Sequence, residues 1–358
     1  MRDNFVVLSW FMRLLFKKIY RIEQKFLILL LLSLIILPSG VFSQGLGVSK
    51  QTQQEDLQLL SEKPVQQMPL GNLSGLSYCQ NKWWTISDKD DRHLYQLKEL
   101  GNSFEALPVS LPPISNDLVA NKIGWKKLIM AKISSSLDFE GLACDRFQRL
   151  YVVSEANSHV LQIAPDWAKA KWLKLPSNLI QEAHRANLLK HFNAGLEGIA
   201  VNENGDQLWL IAERDNRGIL FAKKLSQHWT CPASCVLLSE KNWIFSPEIL
   251  GHKQVGVDFS AAVYFKNKLF TLERNAHQIC RREAMTGKQE RCWSFEKSVL
   301  GKPGSRYGDY PFGQAEALWL NNENAWVGLD NNQLARDRDG EKRPLIYQFS
   351  APRRGWLQ

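Results

Sequence analysis

An all-β fold built from one repeated hairpin is what this sequence predicts, and three observations predict it. A short apolar run opening on Glu or Ser, a polar turn, and a second apolar run ending on an acid recur five times. The openings, at Ser74, Glu140, Glu197, Ser260 and Glu316, are spaced by 66, 57, 63 and 56 residues. Thirteen Trp and seventeen Phe fit a large aromatic core of packed sheets. A strand-bearing repeat of this period signals a β-propeller. We expect five four-stranded blades, or six if a degenerate unit is present.

Residues 1–43 precede the repeat. Arg13, Lys17, Lys18, Arg21 and Lys25 lead into an almost wholly apolar run from Phe26 to Pro38, followed by Val41-Phe42-Ser43 before Gln44. This is the pattern of a cleaved secretory signal, and the apolar run is short for a full membrane span. The body is therefore expected outside the cytoplasm, periplasmic or secreted, with no stable membrane insertion after cleavage. Without the leader the formal charge falls from +9 to +5, which gives little reason to expect nucleic-acid binding. Residues 44–70 form a Gln-rich segment, expected to begin flexible and to lend a strand that closes the ring. Residues 71–358 form one propeller domain. Asn102 to Lys132, with its prolines and Trp125, reads as outer strands and a long connection.

The hairpins follow in order: Leu73 onward (LSGLSYCQNKWWTISD), Leu137 onward (LDFEGLACDRFQRLYVVSE), Gly195 onward (GLEGIAVNENGDQLWLIAERDN), Asp258 onward (DFSAAVYFKNKLFTLERN) and Gly313 onward (GQAEALWLNNENAWVGLDNN). Asn, Gly and Asp supply the turn chemistry in the Gly195 unit. Between the second and third units, Ser177–Phe192 has apolar residues at helical spacing and predicts one inserted helix. The six Cys are an even set suited to an oxidising compartment. Cys231 and Cys235 are placed to bridge a small loop, and Cys280 and Cys292 to bridge a hairpin. Cys79 and Cys144 either pair or stay free.

In an antiparallel hairpin the first residue of one strand lies beside the last of its partner. Glu197 and Glu213 should thus share one end of their hairpin. If the opening strand of each unit lines the channel, Glu140, Glu197 and Glu316 gather near one mouth with Ser74 and Ser260. A second tier of Asp88, Glu155, Glu213, Glu273 and Asp330 lies beside them. Crowded carboxylates must hold a cation, raise their pKa values or take Arg partners. All-oxygen ligands suit calcium, which makes Glu140, Glu197 and Glu316 the candidate metal ligands. Glu197, Glu213 and Glu273 are the candidate acid–base residues. Arg214 and Arg274, with Asn216 and Asn275, are candidates to bind an anionic group. The second tier could equally bond to the next blade's backbone and fix blade geometry. No GxSxG elbow, P-loop or HExxH occurs.

The phrases SGLSY with WWTISD, DFEGLA with LYVVSE, GLEGIAV with LWLIAERDN, LFTLERN, and AEALWL with WVGLDNN resemble the phytase-like propeller family described as esterase-like activity of phytase. More loosely, they are similar to the SdiA-regulated propeller proteins. The resemblance implies a calcium-dependent hydrolase of phosphoesters or carboxylic esters acting on a small anionic or ester substrate. Ser at two of the five openings departs from a complete metal cluster. A non-catalytic propeller that binds a ligand or protein partner on the same face is the alternative.

Overall fold

The computed structural model describes residues 55–115, 137–190, 195–214 and 216–358. The leader, residues 44–54 and the Trp125 region lie outside them. The described part is all-β with two short helices.

After a two-residue strand at Glu55–Asp56, the first long strand is β1 (Leu59–Gln66). The first unit is β2 (Gly75–Cys79), β3 (Lys82–Ile86), β4 (His93–Leu100) and β5 (Ser103–Ser110). The second is β6 (Phe139–Cys144), β7 (Leu150–Ser154), β8 (His159–Ile163) and β9 (Ala170–Trp172). Helix α1 (Leu179–Arg185) leads to β10 (Leu196–Val201), β11 (Gln207–Ala212), β12 (Arg217–Leu225) and β13 (Val236–Glu240). The fourth unit is β14 (Ala261–Phe265), β15 (Lys268–Glu273), β16 (Gln278–Glu283) and β17 (Gln289–Ser294), followed by α2 (Glu296–Leu300). The last is β18 (Ala315–Leu320), β19 (Asn324–Leu329) and β20 (Leu345–Ser350). Within each unit, consecutive strands pair antiparallel.

The first strands adjoin one another in the closed order β2, β6, β10, β14, β18 and back to β2. The N-terminal strand β1 pairs antiparallel with β20 and, through Val65 and Gln66, parallel with β5. One strand thus joins the last sheet to the first. Buried side chains fill the spaces between neighbouring sheets, with Trp209, Trp293 and Trp356 the largest.

Two local features make the ring. Glycines let the inner strands approach: a Cβ on Gly141 would lie 2.8 Å from Gly198 Cα and 2.9 Å from Ile199 N. Gly198 in turn faces Ala261 Cα at 3.1 Å. The second feature is a register shift in the three units that open on Glu. Phe139 faces Ser154 but Gly141 faces Val153, so Glu140 is the extra residue. Glu197 and Glu316 occupy the same position in their hairpins. Such β-bulges redirect a side chain at the end of a ladder.

The inserted helix is shorter than the Ser177–Phe192 the sequence predicts. It stops at Arg185 because Asn187 turns left-handed at φ 61°. That turn sends Leu188 down onto Gly218. The sequence reading did not anticipate α2. All six Cys pair, as Cys79–Cys144, Cys231–Cys235 and Cys280–Cys292. Among the described residues no helix is long and apolar enough to cross a membrane.

Gly141→Ala should cost roughly 1–3 kcal/mol, because its methyl group meets backbone rather than a side chain that can turn away. Urea unfolding measures it, and an unchanged midpoint would mean that the ring is not closely packed there. His277 is buried against Phe295, and burial pushes its imidazole down to about 4. The unfolded chain therefore binds a proton between about pH 6.5 and 4 that the folded chain does not. Stability should fall with pH across that window, by up to about 1.4 kcal/mol per unit. His277→Asn, which tolerates the left-handed backbone, should lessen the slope.

Candidate functional site

A cavity of ≈ 750 Å³ has at its walls Glu140, Glu197 and Glu316 from the bulges, with Asp88, Glu155, Glu213 and Asp330 from the second tier. Asp258 adds an eighth carboxylate, and the lining cations are Lys89, Arg214, Lys241 and Arg274. The acids do not meet a uniform environment. One half of the cavity is neutralised by arginine and the other is not.

Arg274 organises the neutralised half. Its guanidinium pairs with Glu213 and Glu316, and its Nε donates to Asp258 Oδ2 at 2.9 Å. Arg214 closes on the other oxygen of Glu213. Burial pushes Glu213 up, but Arg274 and Arg214 outweigh it and hold the carboxyl below its ordinary value. Glu316 is pushed up to about 8 by burial, against the pull of Arg274. Asp258 also accepts the N–H of Asn275 at 3.0 Å, while the Asn275 amide donates to Gly256 O at 3.0 Å.

In the other half lie Asp88, Glu140, Glu155 and Glu197, with Asp138 next to Asp88 and Glu140. Glu197 is only 8% exposed. Among the described residues, neither Glu140 nor Glu197 accepts a hydrogen bond or closes an ion pair. Burial, then the neighbouring carboxylates, hold both well above the ordinary range. Asp138 is pushed up to about 7 by burial and by Glu155, with which it shares a hydrogen bond. Glu155 accepts the N–H of Gly195 at 2.9 Å, and Lys89 sits on Asp88. Oxygens of Asp88, Asp138 and Glu140 all lie within 4.8 Å of one another. Two oxygens on one calcium are at most about 5 Å apart, so this set has the chemistry and spacing a hard divalent cation takes.

The sequence-derived candidates divide accordingly. Glu140, Glu197 and Glu316 do come to one cavity, but Glu316 is engaged by Arg274 rather than grouped with the other two. The three oxygens that cluster belong to Glu140 with Asp88 and Asp138. Glu213, Arg214, Arg274 and Asn275 line the cavity; Asn216 and Glu273 do not. Glu273 is buried beneath it, held by Arg217 at 2.9 Å, Arg282 at 2.6 Å and Gln278 at 2.8 Å. Both arginines also lie over the Phe259 ring, at 4.3 and 4.7 Å. Arg274 spends Nε and both terminal nitrogens on three carboxylates, which leaves it a weaker anchor for a substrate anion than Arg214. Sequence reasoning missed Asp138 and Asp258. The dipeptide Asp-Phe, standing just before Glu140 and Ser260, was their signal.

Replacing Arg274 with Met should destabilise the fold by roughly 3–5 kcal/mol, because buried Asp258 and Glu316 lose their countercharge and Glu213 is left with Arg214 alone. Without the guanidinium Asp258 and Glu316, already raised by burial, titrate further above their unfolded values. Their stability contribution is then present at low pH and lost as pH rises. The deficit should be largest near neutrality and shrink toward pH 5, as chemical unfolding at several pH values would reveal. A deficit independent of pH would contradict the pairing.

The family described as "Esterase-like activity of phytase" matches residues 68–289. No curated protein matches the chain. Among solved structures, Myxococcus xanthus glutaminyl cyclase is 11% identical with a TM-score of 0.42, over 82% of this chain and 97% of that one. Staphylococcus aureus virginiamycin B lyase is 10% identical with a TM-score of 0.37, over 82% and 99%. Kuenenia stuttgartiensis hydrazine synthase is 9% identical with a TM-score of 0.29, over 53% and 41%. Likenesses this distant say nothing of activity. The family match spans more than half of the chain, and the protein belongs to the phytase-like family.

Proposed function

We propose that this protein is a periplasmic or secreted five-bladed propeller that hydrolyses a phosphoester or a carboxylic ester with the aid of calcium. One observation carries the reading: a buried Glu197, with no partner among the described residues, shares a cavity with Asp88 and Glu140, whose oxygens cluster with one of Asp138. Five hairpin units, each lending one strand to a closed ring, support the blade count. Three disulfides support an oxidising compartment, and the basic-then-apolar leader supports export.

Asp88, Asp138 and Glu140 would hold the ion. Bound there, calcium would supply positive charge to polarise a phosphoryl or acyl oxygen. Arg214, whose side chain is 47% exposed, keeps a face free for an anionic group while Glu213 fixes its Nε. Glu197, with its carboxyl raised by burial, moves the proton between water and the leaving oxygen. Glu213 is a poor base because two arginines hold it ionised; its part is to position Arg214. Glu273 and Arg274 hold the scaffold.

Purified residues 44–358 should hydrolyse at least one of phytate, a simple phosphomonoester or a short acyl ester, and a chelator should abolish the turnover. Glu197→Gln should lower kcat by about 100-fold or more without lowering the melting temperature, since Glu197 has no partner to lose among the described residues. If the folded protein turns over none of these with calcium present, the catalytic reading fails. A propeller that binds a ligand or protein partner would then take its place.

A further inference from the structure

The cavity has a second chemical character at its mouth. Trp243, Tyr310 and Phe312 all line it, and they are 53%, 45% and 41% exposed. They come from separate parts of the chain, Trp243 from the connection after β13 and the other two from the loop before β18. The rings of Tyr310 and Phe312 lie 5.0 Å apart at 59°. Large aromatic rings left wet around a concave site are a costly arrangement unless a ligand covers them.

Behind this rim is a recess of ≈ 40 Å³ that shares Tyr310, Phe312, Gly313 and Gln314 with the cavity. Its other walls include Leu250, Phe295, Leu300 and Leu329. A water's share of liquid volume is about 30 Å³, so the recess takes a methyl- or ethyl-sized end. At the junction the buried Gln314 Oε1 has no hydrogen-bond partner among the described residues.

The charges point the same way. Of the four lining cations, Lys89, Arg214 and Arg274 are already on carboxylates, and only Lys241 has no ion pair among the described residues. Eight carboxylates face them. A molecule with many phosphates, each carrying a charge of roughly −1.5 to −2 at neutral pH, would meet one cation without an ion pair and the free face of Arg214, set among eight carboxyl groups.

We infer that the part of the substrate that does not react is an aryl or short alkyl group. It is held by Trp243, Tyr310 and Phe312 and ends in the recess beside Gln314. The cavity therefore selects a neutral or singly charged ester with an apolar half over an inositol polyphosphate. This inference rests on the hydrolase reading for the word substrate but not for the binding itself.

The test uses a neutral amide that cannot readily be cleaved, N-phenylbutyramide, titrated calorimetrically into the purified protein with calcium and again with chelator. Phytate is titrated into the chelated protein for comparison. The anilide should bind in both conditions and more tightly than phytate. Phe312→Ala and Trp243→Ala should each weaken it by about tenfold with unchanged melting temperatures, both rings being exposed. No anilide binding, tighter phytate binding, or full anilide affinity in both variants would overturn the inference. Anilide binding without turnover of any ester would sink the hydrolase reading and leave this one standing. Turnover with full anilide affinity in both variants would do the reverse.

Discussion

The architecture around the cavity depends on one cation. Arg274 stands at the end of β15 and reaches Glu213 from the preceding unit, Asp258 from its own and Glu316 from the following one. Burying a guanidinium is costly, and so is burying each carboxylate; neither is tolerable without the other. Together they tie three successive units at the ring's mouth. Because Arg274 absorbs three anions here, its charge does not serve the opposite wall, where Lys89 pairs with Asp88. Asp138, Glu140 and Glu197 must carry protons, share them, or take an external cation.

The same economy of position appears in the strand openings. Glu-Gly in the second and third units places two incompatible demands on adjacent residues. The bulge turns the Glu away from the ladder toward the mouth, while the Gly brings neighbouring inner strands to backbone contact. A larger residue at the Gly would push the ring open and carry the Glu with it. The second-tier acids work outward from that ring. Glu155 accepts from Gly195 of the next unit, and Asp330 accepts from Asn72 of the first, across the seam closed by β1. The expectation that such acids bond to the next blade's backbone describes Glu155. Glu213 uses the side chains of Arg214 and Arg274, and Asp330 takes the Asn72 side chain and the backbone N–H of Asn332 in its own unit.

What the sequence could reveal was whatever repeats. The five hairpins, their shared end and the gathering of Glu140, Glu197 and Glu316 follow from strand periodicity and spacing alone. The bulges do not, since a register shift depends on how two strands meet. Nor does the difference between Glu213 and Glu273, which occupy matching places in nearly matching phrases. What separates them is Arg217 and Arg282, contributed by β12 and β16 and visible only once sheets pack. The helix after Leu179 looked longer because its apolar spacing continues. The left-handed turn at Asn187 that ends it serves Leu188 packing on Gly218, a contact between segments far apart in sequence.

Serine at two of the five openings follows from the same electrostatics. At Ser74 the ladder enters without a bulge, its N–H donating to Ile86 O, and its hydroxyl accepts the N–H of Asp88. At Ser260 the N–H likewise donates to Leu272 O, beside an Asp258 already committed to Arg274. A Glu at either place would add a buried carboxylate to a mouth that already holds eight. At Ser260 it would compete for the one guanidinium that pairs with three of them. The departure from a five-fold set of Glu is therefore a consequence of the charge the ring can bear. It concentrates the carboxylates that have no partner among the described residues on the side where Glu140 and Glu197 stand together.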